Sequence, residues 1–233
     1  MGFVSLVLTT ILLASPCGAA AESLWVLTPA QIDAAHLLPP PPSASVQAAE
    51  LAELRDIQAH HTPERLAQAR WDDQNQSWRL FAALLGPRFD MATLPATAKV
   101  LATVNHDMAI ASVRAKRYFK RPRPWSLDPT LNGCPHRLTD DPLTSYPSGH
   151  TLYAFSVGVV LADLMPGKAG AILDRARDFA YSRLVCGVHY RSDTVAGQAM
   201  GTVIGQEILQ SPAMQADLAA ARAELKAAGL TGG

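Results

Sequence analysis

Three clusters in the chain carry residue types that can do chemistry together. Lys116 is followed, after six residues, by Arg123-Pro124. Next comes Tyr146-Pro147-Ser148-Gly149-His150. Last, Ser182-Arg183 is followed after five residues by His189 and after three more by Asp193. Each has an ordinary structural reading when taken singly. The basic run Arg117, Lys120, Arg121 and Arg123 suits a solvated helix end, where cations complement the macrodipole. Pro-Ser-Gly is turn chemistry ahead of a helix, and a His and Asp four apart can be a simple hydrogen-bonded pair. Together they describe a site. Lys116, Arg123 and Arg183 supply cationic donors, and the two arginines can grip an oxyanion bidentately. The Ser148-Gly149 turn, with backbone N–H groups at a helix start, makes an anion cradle in which Gly149 permits close approach. Asp193 on one imidazole nitrogen of His189 fixes its tautomer and leaves the other nitrogen as a nucleophile. His150, directly after the cradle, can protonate a leaving oxygen. That set performs phosphoryl transfer without a metal or any other cofactor.

The elements that must hold these residues read as helices. Leu101, Val104, Met108, Ala111 and Ala115 form one apolar stripe inside a helix expected from Pro95 to Lys120, ended by Pro122 and Pro124. Residues 151–165 are strongly apolar and stop at Pro166-Gly167, and helical signals resume over 168–185 and 192–209. If the last of these began early enough, His189 and Asp193 would share one face. Thr62-Pro63 opens a further helical segment that stops by Gly86-Pro87, and Ser211-Pro212 opens a terminal helix closed by Gly229. Residues 37–45 form an extended proline-rich stretch, and a polar loop covers roughly 125–147. No alternating strand pattern of useful length and no internal repeat is present. The expectation is an all-α, compact helical bundle in a single domain spanning 46–230, with residues 22–45 as a proline-rich lead-in.

The chain has 233 residues, 20 Lys+Arg against 20 Asp+Glu, and 48% apolar residues. A neutral balance argues against a global grip on nucleic acid, and intrinsic disorder is excluded for most of the length. Residues 4–14 are apolar and lead into Ala19-Ala20-Ala21, the pattern of a signal peptide over 1–21. The run is too short to span a membrane. Export to the periplasm or beyond is therefore expected. The leader would remove one of three cysteines and leave Cys134 and Cys186. In an oxidising compartment one disulfide is the simple reading, with two separate buried thiols as the alternative. His36, His60, His61, His106 and His136 show no partner pattern and read as surface or structural.

The three clusters match, at every fixed position, the signature of the type 2 phosphatidic acid phosphatase superfamily, which includes vanadium haloperoxidases. More narrowly, Leu38 to Pro42, the run Ser145 to Thr151 and the run Ser182 to His189 resemble bacterial class A non-specific acid phosphatases. The resemblance implies a helical bundle and broad hydrolysis of phosphate monoesters. His189 would form a phosphohistidine, with Asp193 its orienting partner. His150 would serve as acid and then base, and Lys116, Arg123, Ser148, Gly149 and Arg183 would hold the phosphoryl oxygens. The family's cysteine near Cys186 supports a bridge to Cys134. One departure is Pro122, where class A members more often carry an aliphatic residue. The alternatives are a vanadium-dependent haloperoxidase or a phosphotransferase on the same site, a membrane lipid phosphatase, a non-catalytic anion binder and a metal-dependent hydrolase. Small phosphate esters are the expected partners. No stable membrane insertion is expected, because the run Thr151 to Ala162 is broken by Asp163 well short of a span. A homo-oligomer is compatible with the sequence, which leaves assembly open.

Overall fold

A computed structural model describes residues 24–135 and 141–231 of the chain. The leader assignment over 1–21 and the reading of His136 lie outside the described residues. Among the described residues ten α-helices follow in order: α1 (Ala34–Leu37), α2 (Ala44–His60), α3 (Pro63–Gln74), α4 (Ala82–Leu85), α5 (Pro95–Phe119), α6 (Pro124–Leu127), α7 (Gly149–Leu164), α8 (Ala169–Val185), α9 (Arg191–Gln210) and α10 (Gln215–Ala227). Short 3₁₀ turns lie at Pro29–Ile32, Trp78–Phe81, Pro166–Lys168 and Pro212–Met214. No strand occurs among the described residues, so the all-α expectation holds.

The bundle is built around α7. Its sequence is apolar on every side, and a helix of that kind must lie inside. Twelve of its 16 residues are buried, and it packs against α5, α8 and α9. Contact with α9 is close because Gly197, Gly201 and Gly205 repeat every four residues along the facing stripe. A Cβ on Gly201 would stand 2.5 Å from the Leu152 carbonyl oxygen, and one on Gly197 would stand 2.6 Å from that of Ser148. Side-chain-free positions thus bring the start of α9 onto the start of α7, where the cradle motif sits.

Helix α5 runs alongside with its expected stripe buried: Leu101, Val104, Met108, Ala111 and Ala115 are all in the core. It stops at Phe119, and Lys120 adopts the left-handed conformation at φ 48° before Pro122. Deep in α5, Asp107 accepts the backbone N–H groups of Trp25, Val26 and Leu27 at 2.8, 3.0 and 2.9 Å, pinning the start of the described chain to the bundle.

Several local expectations shift. The segment opened by Thr62 breaks at Gln74, because Ser77 accepts from the Arg79 N–H and starts a separate turn. The proline-rich stretch is irregular only over 38–43, since Leu37 closes α1 and Ala44 opens α2. The polar loop contains the short α6, with Pro124 at its first position. Cys134 and Cys186 form a disulfide with Cα atoms 4.6 Å apart, tying that loop to the end of α8.

Candidate active site

His189 lies just before α9, in the turn that follows α8. It is not part of a helix, contrary to the expectation that helical spacing would align it with Asp193. Gly187 at φ 71° reverses the chain there, and Tyr190 is the cap of α9. Asp193, in the first turn of α9, accepts the Tyr190 N–H at 2.9 Å through Oδ2. That capping contact turns the same oxygen toward His189 Nδ1, at 3.3 Å. The four-residue spacing therefore works through a helix cap. The other ring nitrogen, Nε2, lies 2.7 Å from Nη1 of Arg123. A guanidinium can only donate, so Nε2 carries the lone pair and Nδ1 the proton toward Asp193.

The cradle starts at Ser148, which caps α7: its Oγ accepts from Thr151 N–H at 3.4 Å and Thr151 Oγ1 at 3.0 Å. Its own N–H is donated to the Asp193 carbonyl at 3.0 Å. The donors left at the helix start are therefore the N–H groups of Gly149 and His150, which have no acceptor within the helix. Gly149 has a specific reason to lack a side chain. A Cβ there would lie 3.0 Å from Ser112 Oγ, a tight contact, and 3.6 Å from Lys116 Cε, in ordinary contact with the lysine stem.

The cations come from three directions. Lys116, on α5, donates to the Thr144 carbonyl. Arg123 donates from Nη1 to the Val188 carbonyl at 2.9 Å and lies 3.4 Å from Thr144 Oγ1 through both Nε and Nη2. Arg183, on α8 and 3% exposed, donates from Nη1 to Asp73 at 2.7 Å. Its Nε is buried and has no hydrogen-bond partner among the described residues. His150 Nε2 meets the Asp73 carbonyl oxygen at 3.2 Å, which leaves Nδ1 as the other working nitrogen. The end of α3 thus holds both Arg183 and His150.

Burial and mutual repulsion set the charges. Burial, then the nearby Arg123, Lys116 and Arg183, hold His189 well below the ordinary imidazole range. Burial and Arg183 do the same to His150, opposed by the Asp73 carbonyl. Lys116 is pushed well down by burial and by Arg123. Burial raises Asp193, while Arg121 and Ser145 pull the other way. An oxyanion among these cations would relieve each of the depressed groups.

All eight residues expected to form the site (His189, His150, Asp193, Lys116, Arg123, Ser148, Gly149 and Arg183) converge at these distances. Arg121 corrects the sequence reading of a solvated helix end: it is 3% exposed and donates to Asp193 Oδ1 at 2.7 Å. Sequence reasoning also missed Glu50, Asp73 and Thr144. Ser145, whose Oγ donates to Asp193 Oδ2 at 2.6 Å, belongs to the Ser145–Thr151 run, in which nothing marks it as a partner of Asp193. The Arg-Pro-Arg-Pro repeat was a usable signal for Arg121, because alternating prolines forbid the helix that would have exposed it. Asp73 and Glu50 had none, since both are carboxylates on polar helices. Among the described residues no three His, Cys, Asp or Glu side chains group as a metal cage. Of the histidines read as surface or structural, His36 and His60 pair with Asp33 and Asp56 on exposed faces, and His106 stacks on Trp25.

Fold and site together define an all-α protein with a buried, basic centre containing two histidines. A family profile described as the PAP2 superfamily matches residues 96–216. The chain is 35% identical over 154 residues to the non-specific acid phosphatase of Salmonella typhimurium, covering 63% of this chain and 60% of that protein's length. It is 31% identical over 204 residues to the acid phosphatase of Zymomonas mobilis subsp. mobilis, covering 83% of this chain and 75% of that one. Among solved structures, Aquifex aeolicus LpxE superposes with a TM-score of 0.53 at 23% identity, over 67% of this chain and 92% of that one. The chain belongs to the PAP2 superfamily. No helix among the described residues is long and apolar enough to cross a membrane.

Proposed function

We propose that the chain is an exported acid phosphatase that hydrolyses phosphate monoesters of broad range through a phosphohistidine on His189, without a metal. The observation that carries this reading is the buried Nε of Arg183, without a partner among the described residues, in a site where His189 presents a lone pair at Nε2. An unpaired buried donor costs free energy, and a phosphoryl oxygen is the acceptor whose charge suits its neighbours. In the first step His189 Nε2 attacks phosphorus. The bound phosphate's charge favours the imidazolium form of His150, protonated at Nδ1 as well as at the Nε2 held by the Asp73 carbonyl. The P–N bond forms as the P–O ester bond breaks, and the leaving oxygen takes the Nδ1 proton, leaving His150 neutral. In the second step His150 accepts a proton from water, the hydroxide oxygen attacks phosphorus, the P–N bond breaks and inorganic phosphate leaves. Lys116, Arg123, Arg183, the Ser148 hydroxyl and the N–H groups at the start of α7 stabilise the equatorial oxygens, where charge is spread in the transition state. Asp193 stabilises the Nδ1–H form of His189 throughout.

The relatives named as acid phosphatases support the activity. This chain spans only 60% of the length of the Salmonella protein, so substrate range is part of the proposal. The Cys134–Cys186 bridge supports an oxidising destination, the periplasm or the exterior. The test is p-nitrophenyl phosphate hydrolysis under chelator by the native protein and by His189→Ala. Native activity should persist with EDTA and be inhibited by vanadate, which mimics the trigonal-bipyramidal state, and the variant should be inactive. Retained activity in the variant, or loss on chelation, would sink the mechanism.

A further inference from the structure

Arg121 is held at every donor the structure records for it. Nη1 reaches Asp193 Oδ1 at 2.7 Å and Ser192 Oγ at 2.6 Å. Nη2 reaches Glu50 Oε2 at 2.8 Å, and Nε lies 3.4 Å from Gln47 Oε1. Its guanidinium carbon lies 4.0 Å from the centre of the Tyr190 ring. Glu50 in turn accepts the Ser192 N–H at 2.6 Å and its hydroxyl at 2.8 Å. Helix α2, the segment after α5 and the start of α9 are thereby locked together directly behind the His189–Asp193 pair.

We infer that Arg121, clamped by Glu50, is a positioning residue for His189: it fixes the Asp193 carboxylate so that Oδ2 stays turned to the imidazole. The inference rests on the phosphohistidine reading. The geometry divides the carboxylate cleanly. Oδ1 is taken by Arg121, while Oδ2 serves His189 Nδ1, Ser145 Oγ and Tyr190 N–H. Without the guanidinium, Oδ1 would be a buried acceptor lacking its charged partner, and the carboxylate would be driven to take a proton. The groups facing Asp193 are Arg121 from the turn after α5, Lys116 from α5, His189 and Tyr190 from before α9, and Ser145 and Tyr146 from the loop before α7. Among them Arg121 is the cation in direct contact, at 2.7 Å. A protonated Asp193 no longer favours Nδ1–H on His189, and the lone pair at Nε2 is lost. Glu50 neutralises the far side of Arg121 and keeps it from swinging toward a bound phosphate. Lysine could supply the charge but has neither the planar fork nor the ring-stacking face.

The experiment measures kcat and KM on p-nitrophenyl phosphate against pH for the native protein, Arg121→Met, Arg121→Lys and Glu50→Gln. The low-field Nδ1–H proton resonance of His189 is recorded on each, with His189→Ala as the assignment control. Arg121→Met should lower kcat about 10- to 100-fold, as loss of an outer partner does for metal-bound imidazoles. KM should stay within about twofold, because transition-state and not ground-state contacts are lost. The acid limb of kcat should move up by about one pH unit or more, and the resonance should vanish. Arg121→Lys should return part of the limb but not the full kcat. Glu50→Gln should lower kcat about threefold with only a small fall in melting temperature, because the amide oxygen can still accept from Ser192 and Arg121. A native limb and kcat in Arg121→Met, or a raised KM at native kcat, would overturn the inference. Should Arg121→Met fail to fold, native kcat in Glu50→Gln overturns it. Active His189→Ala would defeat the phosphohistidine reading instead, and the resonance then decides the Arg121 contact by itself.

Discussion

Each side chain at the centre is in an environment that would be costly without a partner. Lys116, His150 and His189 are all pushed below their ordinary values by burial first and neighbouring cations second. The sign for stability follows directly. As pH falls through about 6.5, the unfolded chain gains protons on its histidines while buried His150 and His189 resist, so stability drops toward acid pH. Chemical denaturation at about pH 7, 6 and 5 should show that slope, shallower in His150→Gln and offset by inorganic phosphate, which restores charge balance in the site. The second test at this scale is Gly149→Ala. The new methyl group presses on the Ser112 hydroxyl at the start of the cradle, so the fold should persist while KM for p-nitrophenyl phosphate rises about tenfold, equivalent to ~1.4 kcal/mol.

At the scale of elements, the pairing of α7 with α9 decides whether the site exists. The Ser148 N–H donates to the Asp193 carbonyl, so the cradle and the imidazole's partner are joined by one hydrogen bond. That bond requires the two helices to touch backbone to backbone, which the glycine stripe allows. Gly201→Ala should therefore cost more than a usual helix substitution, about 1–3 kcal/mol of overpacking strain despite the better helix propensity of alanine. A lowered urea midpoint would record it, accompanied by reduced kcat as the cradle moves from Asp193. An unchanged midpoint would mean that α9 can shift without loss.

For the molecule as a whole, the bundle closes a site whose parts come from far-apart stretches of chain. Residue 73 holds residue 183, and residue 50 holds residue 121. The Cys134–Cys186 bridge spans 52 residues and encloses the cradle motif. Loop-closure entropy puts its contribution at about 4 kcal/mol. Reduction with dithiothreitol should lower the melting temperature substantially, and Cys134→Ala with Cys186→Ala should reproduce the fall without reductant. If reduced and oxidised protein melt together, the loop is already restrained by the packing of Val185, Val188 and Ala69 around the bridge.

Legible in the chain alone were the all-α class, the long apolar-striped α5, the buried α7 and the eight chemically marked residues of the candidate site. Those features rest on local periodicity, on proline and glycine punctuation and on residue types whose chemistry is written in the side chain. Packing, in contrast, is what sets His189 outside α9 and brings it to Asp193 through a helix cap. It also decided that the Ser148 N–H is spent on Asp193, and that Arg121 is buried between two carboxylates. Asp73 and Glu50 are indistinguishable in sequence from solvated carboxylates on a polar helix face. Their roles arise from which helix packs over which, a property of long-range contacts that no local pattern encodes.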